Sequence, residues 1–423
     1  MKIAVIIIFL LVYVALLVLP KLRAIIALLG GALMIIIGAI PLDNVMQYLD
    51  FNVLLMLFGT MGLVYYFIES KMPAFLAEKI AKKTKTVRAT VVALSAFAGI
   101  ISAFVDNVAT VLMVAPIALD ICRKLKISPV LPIIAIAISS NLQGAATLVG
   151  DTTSIIVGSN LGLTFADFFV NDGRIGMFFI TEIAAVFATI VLFFFFRKSK
   201  DVIEIESETK VTDFTSTVML LVMLALLIFA SFIPEKPVIT SGLICTVCFI
   251  VVAVISLIKE KSFKPLLNGL KEVDYNTLGV LIGIFLLVGG LTETGIVKDI
   301  GNFFLSISGD SLILAYTLIV FGSVIISAFI DNIPYVTAMI PVVATITLGL
   351  GVQTNILFYA LLVGATLGGN LTPIGASANV AALGILRKEG FTVKNSDFMK
   401  VSVPFTLTAV LSGYLILFLC WGL

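Results

Sequence analysis

The chain has 423 residues, 60% of them apolar and only 12% charged, with a mean hydropathy of +1.20 and a formal net charge of +2. That balance excludes an ordinary soluble domain and describes a polytopic membrane protein, whose backbone polar groups are satisfied within lipid. There is no histidine, and Cys122, Cys245, Cys248 and Cys420 stand apart from the motifs below, which excludes histidine proton relays and His/Cys metal sites.

Apolar runs of about 17 to 25 residues recur along the chain, the length of helical spans rather than barrel strands. The first, 3–19, has only Lys2 before it and no small-residue cleavage site after it, so it reads as a retained span. Lys21 and Arg23 follow it. A third span at 52–68 is followed by Lys71, Lys79, Lys82, Lys83, Lys85 and Arg88, and both basic groups are expected on the cytoplasmic side. Within the second group, 73–85 sets Phe75, Leu76 and Ile80 among lysines, the pattern of an interfacial helix. The next apolar stretch ends at Arg123, Lys124 and Lys126, so both its ends carry the cytoplasmic signature. It is therefore expected to be a re-entrant hairpin, 89–122, entering from the cytoplasm. A span at 129–160 is broken at Ser139 to Gly144 and again at Gly150 to Ser154; a span at 175–196 then returns to Arg197 and Lys198. The polar stretch 197–213 reads as a mobile cytoplasmic linker.

The second half repeats the plan. Spans are expected at 214–233, 238–258 and 276–291, followed by a hairpin at 311–347, a broken span at 355–386 and a final span at 402–421. Asp310 and Gln353 flank the second hairpin where basic residues flank the first, so it is expected to enter from outside. Five full spans per half, an odd number, make 1–196 and 214–423 inverted repeats. In this arrangement only Lys2, Arg174, Lys236 and Lys298 of the 27 Lys and Arg residues are external, as are both termini.

One hexapeptide is written twice, Ser-Ala-Phe-Val-Asp-Asn at 102–107 and Ser-Ala-Phe-Ile-Asp-Asn at 327–332. The offset of 225 residues then holds without a gap, matching Pro116 to Pro341, Gly144 to Gly369, Thr147 to Thr372, Gly150 to Gly375 and Ser154 to Asn379. An ionised aspartate at the bilayer midplane costs roughly 3 kcal/mol on insertion scales. An Asp here can cap the second arm of its hairpin, but Ser or Asn would do that without charge. Asp106, Asn107, Asp331, Asn332 and Asp151 are therefore the candidate ion- or proton-binding residues; Asp151 has no acidic mate, since Ala376 stands in its place. Hydroxyls, amides and breaker glycines of the hairpins and broken spans are the candidate substrate contacts: Ser102, Thr110, Asn141, Thr147, Gly150, Thr152, Ser154, Ser327, Asn370, Thr372, Gly375, Ser377 and Asn379. Glu182 also lies within a span, outside any breaker, where scaffold packing is as reasonable as function. No phosphate-binding loop occurs. The expected partners are a small ion and the bilayer, with Na+ or H+ as the coupling ion, no other metal, no cofactor and no nucleic acid. An ion channel is the competing class, without a fourfold filter motif to support it; an enzyme lacks a nucleophile or metal cluster.

Four segments carry a family resemblance: SAFVDNVATVLMVAP at 102–116, NLQGAATLVGDTTSIIVG at 141–158, SAFIDNIPYVTAMIP at 327–341 and GGNLTPIGASANVAALG at 368–384. They resemble the ion transporter superfamily, which includes arsenite/antimonite permeases, NhaD-type sodium/proton antiporters, the P protein, citrate permeases and divalent anion/sodium symporters. The resemblance implies a homodimer in the plasma (inner) membrane of a prokaryote, with a scaffold domain and a transport domain that moves elevator-fashion. The divalent anion symporters carry Ser-Asn-Thr at each hairpin tip, where this chain has Asp106-Asn107-Val108 and Asp331-Asn332-Ile333. The added charges would repel a dicarboxylate, and no Arg or Lys is near either motif in sequence. Sodium/proton antiport or arsenite-type efflux is accordingly expected ahead of carboxylate uptake. The family's Gly-Asp-Pro-Pro-Asn reads Gly150-Asp151-Thr152-Thr153-Ser154 here, without its prolines.

Overall fold

The computed structural model describes residues 1–199 and 209–422. Most of the linker expected at 197–213, and its mobility, lies outside the described residues. The fold is almost entirely helical. The first half contains α1 (Lys2–Val18), α2 (Arg23–Ile36), α3 (Val45–Tyr48), α4 (Phe51–Glu69), α5 (Met72–Lys83), α6 (Val87–Ser102), α7 (Asn107–Lys124), α8 (Val130–Gln143), α9 (Thr152–Asn160) and α10 (Met177–Phe195). The second contains α11 (Thr215–Ser231), α12 (Thr240–Glu260), α13 (Lys264–Glu272), α14 (Tyr275–Glu293), α15 (Ile296–Ser308), α16 (Leu312–Ser327), α17 (Asn332–Gly349), α18 (Ile356–Leu362), α19 (Ser377–Lys388) and α20 (Asn395–Trp421). Between α9 and α10 a two-residue β-hairpin pairs Val170 with Ile175 and Asn171 with Arg174. Its turn residues, Asp172 and Gly173, both have positive φ, as a tight hairpin turn requires.

Among the described residues, α4, α10, α12, α14, α17 and α20 are long and apolar enough to cross a bilayer singly. The expected first span, 3–19, is α1, and with the α2 that follows it forms a bent pair whose axes turn through 114°. Pro20 is the cause: a residue before proline is pushed out of the α region, and Leu19 sits at φ −119° and ψ 64°. A second bent pair, α15 and α16, turns through 120°. The apolar residues Ile296, Val297, Ile300, Phe303 and Phe304 recur at helical spacing along α15, a helix that the span pattern had passed over.

The stretches expected as hairpins are α6 with α7 and α16 with α17, joined by turns at 103–106 and 328–331. Those expected as broken spans are broken, but Ser139 to Gln143, expected as a first break, stay helical in α8, where Ser140 and Asn141 spend their polar groups on the carbonyls of Asn107 and Thr366 in neighbouring elements. After α8 the chain passes through a 3₁₀ turn, Gly144–Ala146, to an extended Thr147 before α9. After α18 it passes through a π-helical turn, Val363–Leu367, and a 3₁₀ turn, Gly369–Leu371, to an extended Thr372 before α19. The halves interlock rather than sit side by side: α2 packs along α14, and α12 along α4. α10 packs against α20, its counterpart in the repeat. Asn141 donates to the carbonyl of Thr366 at 2.8 Å, the residue that stands 225 positions on.

Candidate functional site

A helix ends with carbonyls that have no intrahelical partner, and in lipid each must find a donor. At the end of α6 the Thr147 hydroxyl donates to the carbonyl of Ala103; at the end of α16 the Thr372 hydroxyl donates to the carbonyl of Ala328. Each hairpin tip is thus clasped by the unwound residue of its own broken span. Gly150 and Gly375 make the clasp tight. A Cβ on Gly150 would lie 2.6 Å from the Gly144 carbonyl oxygen and 2.8 Å from those of Ser102 and Ala103, and Gly375 is equally hemmed by Gly369, Ser327 and Ala328.

The second arms begin at the aspartates. Asp106 Oδ1 accepts from the backbone N–H groups of Val108 (3.0 Å) and Ala109 (3.1 Å), and Asp331 Oδ1 accepts from that of Ile333 at 3.2 Å. One oxygen of each carboxylate therefore does the capping, which leaves the second free to turn toward other partners. Asp151 caps α9: its Oδ1 accepts from Thr152 N–H at 2.8 Å and its Oδ2 from the Thr153 hydroxyl at 2.7 Å. The Asn107 amide lies between them, 3.0 Å from Asn141 Oδ1 and 3.5 Å from Asp151 Oδ1.

These pieces enclose one cavity of about 220 Å³. Of the sequence candidates, Asp106, Asn107, Asp151, Thr152, Asp331, Asn332 and Ser377 line it. Two further acids close it from the α13–α14 corner, Glu272 and Asp274, the latter capping α14 through Asn276 and Thr277 N–H groups at 3.0 and 3.1 Å. A second cavity of about 170 Å³ shares Asp274, Thr277, Asp331 and Ser377 and is closed by Tyr13, Pro20 and Arg23.

Arg23 corrects the expectation that no basic residue stands near either motif. Its Nη1 lies 3.2 Å from Asp331 Oδ2, and its Nε donates to the Leu16 carbonyl at 3.1 Å. The physical reason is the turn at Pro20, which brings the start of α2 to the second hairpin tip across 308 residues of sequence. Tyr13 seals the contact by donating to the Pro334 carbonyl at 2.5 Å. The two tips are therefore electrostatically unequal, because Asp106 has no such cation among the described residues.

The remaining candidates are not brought to the cavity, and most have partners elsewhere. Thr110 bonds the carbonyl of Asp106, Ser154 that of Gly144, and Ser327 that of Ala365. Asn141 and Asn370 bridge the two broken spans, to the carbonyls of Thr366 and Ile138, and Asn379 donates to those of Gly369 and Thr372. Ser102 Oγ, Asn370 Oδ1 and Asn379 Oδ1 are buried without a hydrogen-bond partner. Thr147, Thr372, Gly150 and Gly375 form the clasps described above. Glu182 is half-buried on α10 and lines none of these cavities.

Comparison with known proteins agrees with this architecture. The sequence profile of the citrate transporter family matches residues 11–364. An uncharacterised transporter of Mycobacterium tuberculosis is 31% identical over 401 residues, covering 92% of this chain and 91% of that protein. The human P protein is 27% identical over 476 residues, 92% of this chain and 56% of its own length. Among solved structures, the Alcanivorax borkumensis YdaH transporter superposes with a TM-score of 0.62 at 14% identity, over 90% of this chain and 87% of that one. The Neisseria gonorrhoeae MtrF structure, described with a class of antimetabolite efflux pumps, gives 0.56 at 16% identity, over 89% and 82%. At such identities these two speak for the fold alone. The chain is a multi-pass membrane transporter, not an enzyme, and belongs to the citrate transporter family within the ion transporter superfamily.

Proposed function

We propose that the protein is a secondary active transporter of a prokaryotic plasma membrane that moves a small inorganic ion or oxyacid coupled to H+ or Na+. Sodium/proton antiport is the reading the cavity supports best, with arsenite/antimonite efflux beside it. The observation that carries it is the convergence of Asp106, Asp151, Glu272, Asp274 and Asp331 on one small cavity, with Arg23, among the described residues, the one basic residue lining it or its neighbour. Such a field concentrates cations and repels anions. Its volume also lies below the roughly 300–1,000 Å³ of drug-sized ligand sites. A neutral oxyacid would use the hydroxyls and amides without needing a basic residue.

In this reading the halves are oriented oppositely, the termini lie outside, and the cavity opens toward the cytoplasm, on the side of the Lys71 to Arg88 cluster. The part bearing both hairpins moves past a scaffold of α1–α4 and α11–α14, and two copies pair through their scaffolds. The citrate transporter family's name and Arg23 favour a second reading, sodium-coupled carboxylate symport, in which a citrate-like substrate enters with its charge cancelled by bound cations.

The deciding experiment is reconstitution in liposomes with a pH gradient, followed by addition of sodium, lithium, arsenite or citrate. Dissipation by sodium or lithium is expected. Citrate-driven flux with no response to either cation or to arsenite would sink the leading reading in favour of the second.

A further inference from the structure

A third cavity, of about 560 Å³, is walled by the counterparts of the elements around Arg23. Around Arg23 the walls are the α1–α2 corner, with Leu16, Leu17 and Pro20, and the start of α14, with Asp274 and Thr277. In the third cavity they are the α11–α12 corner, with Val238 and Ile239, and the start of α4, with Asp50 and Asn52. Asp50 caps α4 through Val53 N–H at 3.0 Å, as Asp274 caps α14. The corners match as well. Arg23 reaches back to the carbonyl of Leu16 near the end of α1, and Lys236 reaches back to that of Ala230 near the end of α11, at 2.7 Å.

What differs is the remaining wall. Beside Arg23 it is the hairpin tip itself, Ile330 and Asp331; in the third cavity it is α17 at Thr337, Ile340 and Pro341, α9 at Ile156 and Asn160, and the far end of α14 at Phe285, Val288 and Thr292. Nine residues of helix separate Asp331 from Ile340, which is about 14 Å at 1.5 Å per residue. A shift of that size along α17 would bring the tips to Asp50 and Val238.

We propose that the third cavity is the second mouth of the same transport site, and that Lys236 is the cation that meets Asp106 there as Arg23 meets Asp331 at the first. This rests on the coupled-transport reading above and adds to it two residues and a role. Each hairpin acid is discharged by the protein's own cation at one mouth only: Asp331 at the near mouth, Asp106 at the far one. Bound cargo is thereby displaced from a different acid on each side. Asp50 takes the position toward the tips that Asp274 holds now.

The test is cross-linking in proteoliposomes with a short bifunctional thiol reagent that replaces the reach of the basic side chain, with Cys122, Cys245, Cys248 and Cys420 replaced by alanine. Lys236→Cys is paired with Asp106→Cys. A second pair, Val238→Cys with Val108→Cys, keeps both charges, and Arg23→Cys with Asp331→Cys serves as the reference. Bridging is expected in the reference pair and in at least one new pair, and bridging of Val238→Cys to Val108→Cys should arrest flux. Failure of both new pairs, in protein whose reference pair bridges and whose cysteine-free parent carries flux, overturns the inference alone. A folded cysteine-free parent without flux for any cargo removes the coupled-transport reading and this inference with it.

Discussion

Replacing Gly150 with alanine puts a methyl group 2.6 Å from one backbone oxygen and 2.8 Å from two others. Ordinary C···O contacts begin near ~3.3 Å, so three carbonyls must retreat by about 0.5–0.7 Å together. None can rotate away, because all belong to the backbone of the first hairpin tip and the break in its own span. Overpacking of this kind costs about 1–3 kcal/mol. Expressed as stability, that is a fall of about 1–3 °C in midpoint for a chain of 423 residues, which thermal unfolding of the detergent-solubilised protein resolves. Expressed at the site, it is a 5- to 150-fold loss of affinity for the coupling ion, on the order of 1–3 kcal/mol. Gly375→Ala should behave alike, with Cβ contacts of 2.6, 2.7 and 2.9 Å. The control is Gly384→Ala on α19, where a Cβ meets nothing within 4 Å and the helix gains propensity. If Gly150→Ala matched wild type in both midpoint and flux, or Gly384→Ala proved as damaging, the clasp would not hold the tip as described.

Further outcomes follow from the cavity. Asp106→Asn and Asp331→Asn keep a capping oxygen but remove the charge, so coupled flux in liposomes should vanish while the protein remains folded; full coupled transport by both would end the proposed mechanism. Arg23→Gln leaves Asp331 without its cation, so sodium should compete more effectively at that acid and its apparent affinity should rise several-fold, whereas Arg23→Lys should lie between. Glu182→Gln should leave sodium-driven flux within about twofold of wild type, since Glu182 lines neither site cavity; a larger loss would give it a role. Lys2→Ala removes an exposed ion pair with Asp299, 2.7 Å across, and should shift stability by less than about 1 kcal/mol.

The sequence singled out both hairpin aspartates because a charge in an apolar run is costly and because the run is written twice. Asp151 was legible for the same reason, and it stands in the wall of the cavity with them. Arg23 was not. In the sequence it is one of a pair of basic residues after a span, which reads as a topological signal, and only the turn at Pro20 carries it to Asp331. Glu272 and Asp274 were hidden similarly, in a polar corner that looks like any loop before a span. The clasps were half legible: the breaker glycines announced unwound backbone, but which carbonyls Thr147 and Thr372 would meet depends on contacts 44 residues away. The π-helical turn at Val363–Leu367 left no mark in composition.

The interlocking of the halves also constrains how the chain is made. The long partner of α4 is α12, which begins roughly 190 residues later. At synthesis rates of about 5–20 residues per second, α4 waits some 10–40 s in the membrane before that surface exists. Asn52, whose side-chain oxygen accepts from the Gly242 N–H at 2.8 Å in the finished fold, spends that interval without its partner. Insertion of the first half therefore cannot be its folding, and a nascent chain halted before α12 should be held open, a substrate for membrane chaperones and proteases.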